Sequence, residues 1–135
     1  MLYFSMDEFE RSSVARARGI DNTIPEQART NLALLTERVL DPARERLGMP
    51  IIVNSGYRCR DLNKAVGGSP SSQHLSGQAA DISCRDNNRL LQILKDLPFD
   101  QLIAYRDKRH DSRILWIHVS FSASRQRGLA FSTFK

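Results

Sequence analysis

The chain is short of the residues that staple or anchor proteins. Its 135 residues hold only two cysteines, Cys59 and Cys84, and they form no Cys-x-x-Cys pair. A disulfide scaffold is therefore not indicated, and both are expected as free, buried thiols. No apolar run approaches the ~20 residues needed to span a bilayer. The N-terminal residues Met1 to Glu8 lack the basic start and long apolar stretch of a secretory signal. The expectation is synthesis in the cytoplasm, with release to a cell wall left to some other agent. Low-complexity tracts, internal repeats and linkers are absent too, so one domain over residues 1–135 is expected, large enough to bury its own core.

Acidic residues run out towards the C-terminus. Residues 1–100 hold 13 Lys/Arg and 13 Asp/Glu, whereas 101–135 hold seven of the former and only Asp107 and Asp111 of the latter. The whole net charge of +5 thus sits in the last quarter of the chain. Such a patch suits a polyanion, either nucleic acid or an anionic cell wall, and it is equally compatible with a solvated basic loop. The aromatic-interleaved signature of a nucleic-acid module does not accompany it.

The pattern of apolar residues places the elements. Ser5-Met6-Asp7-Glu8 is a capping box opening a helix to about Arg18, where Gly19 ends it. A second helix starts near Pro25 and carries Ala28, Leu32, Leu35 and Val39 as an apolar stripe. Pro42 should kink it, or Asp41 should cap a fresh turn. Pro50 to Asn54 is β-branched and reads as a buried strand leading into the glycine turn before Arg58. A short helix spans Asp61 to Val66. A strand covers Ala79 to Ser83, and Asn87 caps a helix bearing Leu90, Leu91, Leu94 and Leu97. Phe99–Tyr105 and Ile114–Phe121 pair as a hairpin. In the second of these strands Trp116, His118 and Ser120 share one face, with Ile117 and Val119 on the other. The tail from Ser122 carries no clear pattern. The sum is an α+β fold, with N-terminal helices packed on a small antiparallel sheet.

The chemistry is concentrated in Ser72-Gln73-His74-Leu75-Ser76-Gly77-Gln78-Ala79-Ala80-Asp81. An imidazole and a carboxylate are ligand types of a catalytic zinc, which takes three protein ligands and keeps a fourth position for water. Gly77 lets the chain turn between His74 and Asp81, and His118 on a neighbouring strand can supply the third ligand. Each residue alone has another reading. A strand histidine can be a hydrogen-bonded structural residue, and an aspartate after an apolar run can cap or turn. His110, in a charged loop, reads as solvated.

The ten-residue motif, the upstream Ser55-Gly56-Tyr57-Arg58 and the downstream Trp116-x-His118 resemble the M15 family of zinc peptidases. So do Leu62-Asn63-x-x-Val66-Gly67-Gly68-Ser69 and Phe99-Asp100-Gln101-Leu102, and the likeness is greatest to the small, single-domain phage and bacterial members. The resemblance implies a D-Ala-D-Ala carboxypeptidase/Hedgehog-like fold. It implies Zn2+ held by His74, Asp81 and His118, with zinc-bound water attacking an amide of a peptidoglycan stem peptide. Arg58 would stabilise the oxyanion, and Ser72 and Tyr105 would contact substrate. The family's general base is a Glu or Asp close before the last His ligand, or a Glu ending the Phe-Asp-Gln-Leu strand. Here those places hold Leu115 and Ala104-Tyr105-Arg106, which leaves Asp100 as the candidate base. Three readings follow: a zinc metallopeptidase of peptidoglycan, a zinc-containing wall or phage-particle binding module that has lost hydrolysis, and nucleic-acid binding by the basic C-terminal part.

Overall fold

The computed structural model describes residues 1–135. Six α-helices and five strands follow one another as α1 Met6–Glu10, α2 Ser13–Arg18, α3 Glu26–Leu35, α4 Asp41–Leu47, β1 Ile52–Ser55, α5 Arg60–Ala65, β2 Ala79–Ser83, α6 Asn87–Leu94, β3 Gln101–Arg106, β4 Ile114–Ser120 and β5 Leu129–Phe134. The strands form one sheet in the order β1-β2-β4-β3-β5, antiparallel except for β5, which runs parallel to β3. One apolar cluster joins the helices to the sheet, from Phe9, Leu32 and Leu40 to Ile82, Leu94, Leu102 and Ile117. This is the α+β arrangement anticipated from the sequence, with a fifth strand added. No helix is long and apolar enough to cross a membrane.

The first helix is two helices. Glu8 reaches back to the Ser5 amide (2.8 Å) as its capping box requires, but the chain breaks at Arg11. The carbonyl of Phe9 accepts from the Tyr57 amide (2.8 Å) and that of Glu10 from the Asn22 side chain (2.9 Å). Those carbonyls are then taken from the helical ladder. Ser12 restarts it, accepting from the Ala15 amide. The long helix, by contrast, survives Pro42. Thr36–Leu40 widen into a π-helical turn that leads directly into α4, so the missing proline N–H falls where the ladder is already rearranged. Asp41 caps no new turn, and its carboxylate accepts from the amides of Leu2 and Tyr3 instead.

Two further expectations are corrected. β1 is an edge strand with Ile52 exposed, not a buried one, because β2 is its only neighbour. Asp86, not Asn87, caps α6 by accepting from the Arg89 amide, while Asn87 accepts from the Cys84 amide. Cys59 and Cys84 are both free and partly buried.

The segment between the two proposed ligands is built around Gly77. It has φ +71°, and a Cβ there would lie 2.4 Å from the Ala28 carbonyl oxygen. Only glycine both adopts this left-handed turn without strain and lets β2 start against the backbone of α3.

Candidate metal centre

Strand register assembles the site. Asp81 of β2 stands opposite His118 of β4, and His118 stands opposite Ile103 of β3. Alternation along β4 turns Ile117 and Val119 into the core, where both are fully buried, and leaves Trp116 and His118 on the open face. His74 arrives from the single 3₁₀ turn Gln73–Ser76, capped by Ser72 through its hydroxyl and the His74 amide (3.2 Å). The Arg58 amide donates to the His74 carbonyl (3.1 Å), which joins the turn to the end of β1.

The donor atoms converge. His74 Nε2 is 3.2 Å and His118 Nδ1 is 3.0 Å from Asp81 Oδ1, and all three lie within 4.8 Å of one another. Two ligands bound at about 2.0–2.1 Å in tetrahedral geometry would be about 3.3 Å apart. The fit is close. His74 Nδ1–H donates to the Gly56 carbonyl (2.7 Å), so the lone pair of Nε2 faces the carboxylate oxygen. Two acceptors in such proximity call for a cation between them. The Gly56 contact also fixes tautomer and ring orientation, as supporting groups of metal-bound histidines do. Burial works against ionising Asp81, but the His118 and His74 rings beside it outweigh that cost and hold the carboxyl below the usual range. Two imidazoles and one ionised carboxylate form a set that could hold a metal ion.

Arg58 lies beside this group. Its Nη2 donates to Asp81 Oδ2 (3.3 Å), Nε to Ser55 Oγ (3.1 Å) and Nη1 to Asn63 Oδ1 (3.3 Å). The three ligands and Arg58 open on a cleft of about 610 Å³ that Ser72, Tyr105 and Trp116 also line. Tyr105 stacks on Trp116 with ring centroids 4.6 Å apart. Burial raises its pKa, the negative Asp81 adds to the effect and Arg58 opposes it, so the phenol stays neutral. Six of the seven residues singled out from the sequence are thus brought together.

Asp100 is the exception. It is fully buried and does not line the cleft. Oδ1 accepts from Arg127 Nε (2.7 Å) and the Arg127 amide (3.1 Å), while Oδ2 accepts from Arg127 Nη2 (3.0 Å) and Gln73 Nε2 (3.0 Å). The expectation that Asp100 is the general base is therefore corrected: both oxygens are occupied and out of reach of substrate. Asp107 is no replacement, since it accepts from the Arg109 amide within its own turn. The partner of Asp100 lies in the tail that the sequence left unpatterned, and the only signal for it was the acid-poor composition of that tail.

Asp100 instead ties the His74 turn to the segment leading into β5. Hydrogen bonds from Arg127 foremost, against burial, hold its carboxyl at about 2, below the ordinary 3.8. A depressed folded-state pKa stabilises the protein fully above about pH 4, and that contribution is lost as pH falls towards 2. Asp100→Asn is expected to cost about 2–3 kcal/mol near neutrality, somewhat less than breaking a fully buried pair because Arg127 is partly exposed. Thermal unfolding followed from about pH 6 to pH 2 should show the gap between wild type and variant closing at the acid end. A gap that does not change with pH would deny the carboxylate this role.

Residues 2–120 match the family described as Peptidase M15. No match to a curated protein is found.

Proposed function

The chain belongs to the peptidase M15 family, whose members are metal-dependent peptidases, and from that premise we propose that it is a zinc hydrolase cutting an amide bond in peptidoglycan stem peptides. The observation that carries this is the convergence of His74 Nε2 and His118 Nδ1 on Asp81 Oδ1, at 3.2 and 3.0 Å, on the wall of an open cleft. Two nitrogens and one oxygen are a ligand set suited to catalytic zinc. When bound, zinc lowers the pKa of a coordinated water towards ~7 and polarises a carbonyl.

The chain's own groups do the rest. Arg58, held by three acceptors, presents a fixed guanidinium where a carbonyl oxygen gains negative charge. Ser72 sets the His74 turn and leaves its hydroxyl at the cleft wall. Tyr105, neutral and stacked, offers a hydrogen bond to a bound peptide without competing for protons.

One observation favours a second reading, a zinc-containing binding module with slow or lost hydrolysis. Asp81 is the only carboxylate on the cleft wall, so no free carboxylate stands ready to accept the nucleophile's proton and hand it to the leaving amine. Incubating the protein with stem-peptide fragments, with and without a chelator, tests both. New amine groups that appear only with metal support the hydrolase. Retained peptide without cleavage supports the binding module.

A further inference from the structure

A metal ligand set does not require the rest of its cleft to be basic, yet this one is. Arg58, Arg125, Arg127 and Lys135 all line it, against Asp81 alone. Two of these cations are already engaged: Arg58 by Asp81, Ser55 and Asn63, and Arg127 by both oxygens of Asp100. The other two have donors to spare. Arg125 makes no side-chain hydrogen bond, its Nε is 3.6 Å from the already saturated Asp100, and its side chain is 56% exposed. Lys135 has no acid partner, and its ammonium stands 5.6 Å from the centre of the Tyr105 ring.

Their placement follows from the sheet. His118 faces Ile103, near the middle of β3. Arg125 stands beside Asp100, just before β3 begins, whereas the Lys135 amide donates to the carbonyl of Arg106, where β3 ends. Each lies three residues along the strand from the metal ligand, about 10 Å at ~3.3 Å per residue. The cleft therefore has at each end a cation with N–H donors unused, and the metal centre between them.

We propose that the cleft selects acidic peptides carrying carboxylates on both sides of the bond at the metal, one received by Arg125 and the other by Lys135. This rests on the hydrolase reading for the identity of the central bond, but the recognition itself does not depend on turnover. Two separated carboxylates on an extended chain fit this spacing, and an arginine fork takes a carboxylate with two N–H donors.

Trp116 is the sole tryptophan and lies in the cleft, so its fluorescence reports occupancy. The probe is the pentapeptide L-Ala-γ-D-Glu-L-Lys-D-Ala-D-Ala, with both carboxylates free, with either amidated, or with both amidated. Each amidation is expected to weaken binding about tenfold, as loss of one charge-assisted contact does. Arg125→Ala should abolish the preference for one carboxylate and Lys135→Ala for the other, each leaving affinity for the doubly amidated peptide unchanged. Equal affinity for all four peptides, or undiminished preference in both variants, overturns the proposal. So does tighter binding of a single-stranded oligonucleotide than of the free-acid peptide. Amine release measured in parallel separates the two readings. Selective binding without cleavage keeps this inference and removes the hydrolase, while cleavage indifferent to amidation does the reverse.

Discussion

His118→Ala is expected to give a folded protein that has lost its metal. The imidazole sits on the open face of β4, and its neighbours Ile117 and Val119 fill the core from the other face. Truncation therefore opens space in the cleft and leaves the packed interior intact, at a stability cost of about 1 kcal/mol. The effect on metal is far larger. Asp81 Oδ1 and His74 Nε2 remain 3.2 Å apart, but two donors do not make the three that a catalytic zinc takes. The affinity should fall by more than the ~100-fold that loss of a merely supporting group costs. Metal content per chain, measured after dialysis, should drop from close to one to near zero, and peptide cleavage should fall with it. A full complement of metal in a folded His118→Ala protein would remove His118 from the site.

What could be read from the sequence was what neighbouring residues determine. Strand alternation at Trp116-Ile117-His118-Val119 was enough to point His118 at a cleft, because each face of a strand is fixed two residues at a time. Gly77 announced the turn that brings His74 to Asp81, and the structure adds the reason nothing larger fits, the Ala28 carbonyl 2.4 Å from any Cβ. Distant partners were not legible. Asp100 lies in a segment that resembles the family's, but its role was decided by Arg127, 27 residues later. β5 splits its large apolar residues between two faces, Leu129 and Phe131 on one and Phe134 on the other, and all three stay exposed. Its parallel pairing with β3 is a long-range contact that no local pattern encodes. The same long-range pairing brings Arg125, Arg127 and Lys135 to the cleft, so no local pattern places them there. By charge alone the basic tail suits a polyanion, whereas in the structure part of it forms one wall of the site.

Arg58→Ala should separate holding the metal from using it. Arg58 touches Asp81 through Oδ2, whereas the histidine nitrogens gather at Oδ1. Its removal frees the outer oxygen and leaves the ligand atom in place. Metal affinity should fall by no more than the 10–100-fold that a supporting contact is worth, so at saturating zinc the variant stays loaded. Turnover is another matter. A preorganised donor at a developing oxyanion is worth about 10²–10³ in kcat, and that loss is expected here with KM little changed. Arg58→Lys restores the charge but not the fork that Ser55 and Asn63 hold in position, so it should recover only part of the rate. The alternative is that Arg58 is a strut joining β1, α5 and Asp81. A strut's loss would lower stability and metal affinity while leaving kcat per loaded molecule intact. Measuring kcat at saturating zinc for wild type, Arg58→Ala and Arg58→Lys decides between them, because only a group acting on the transition state orders the three rates by both charge and geometry.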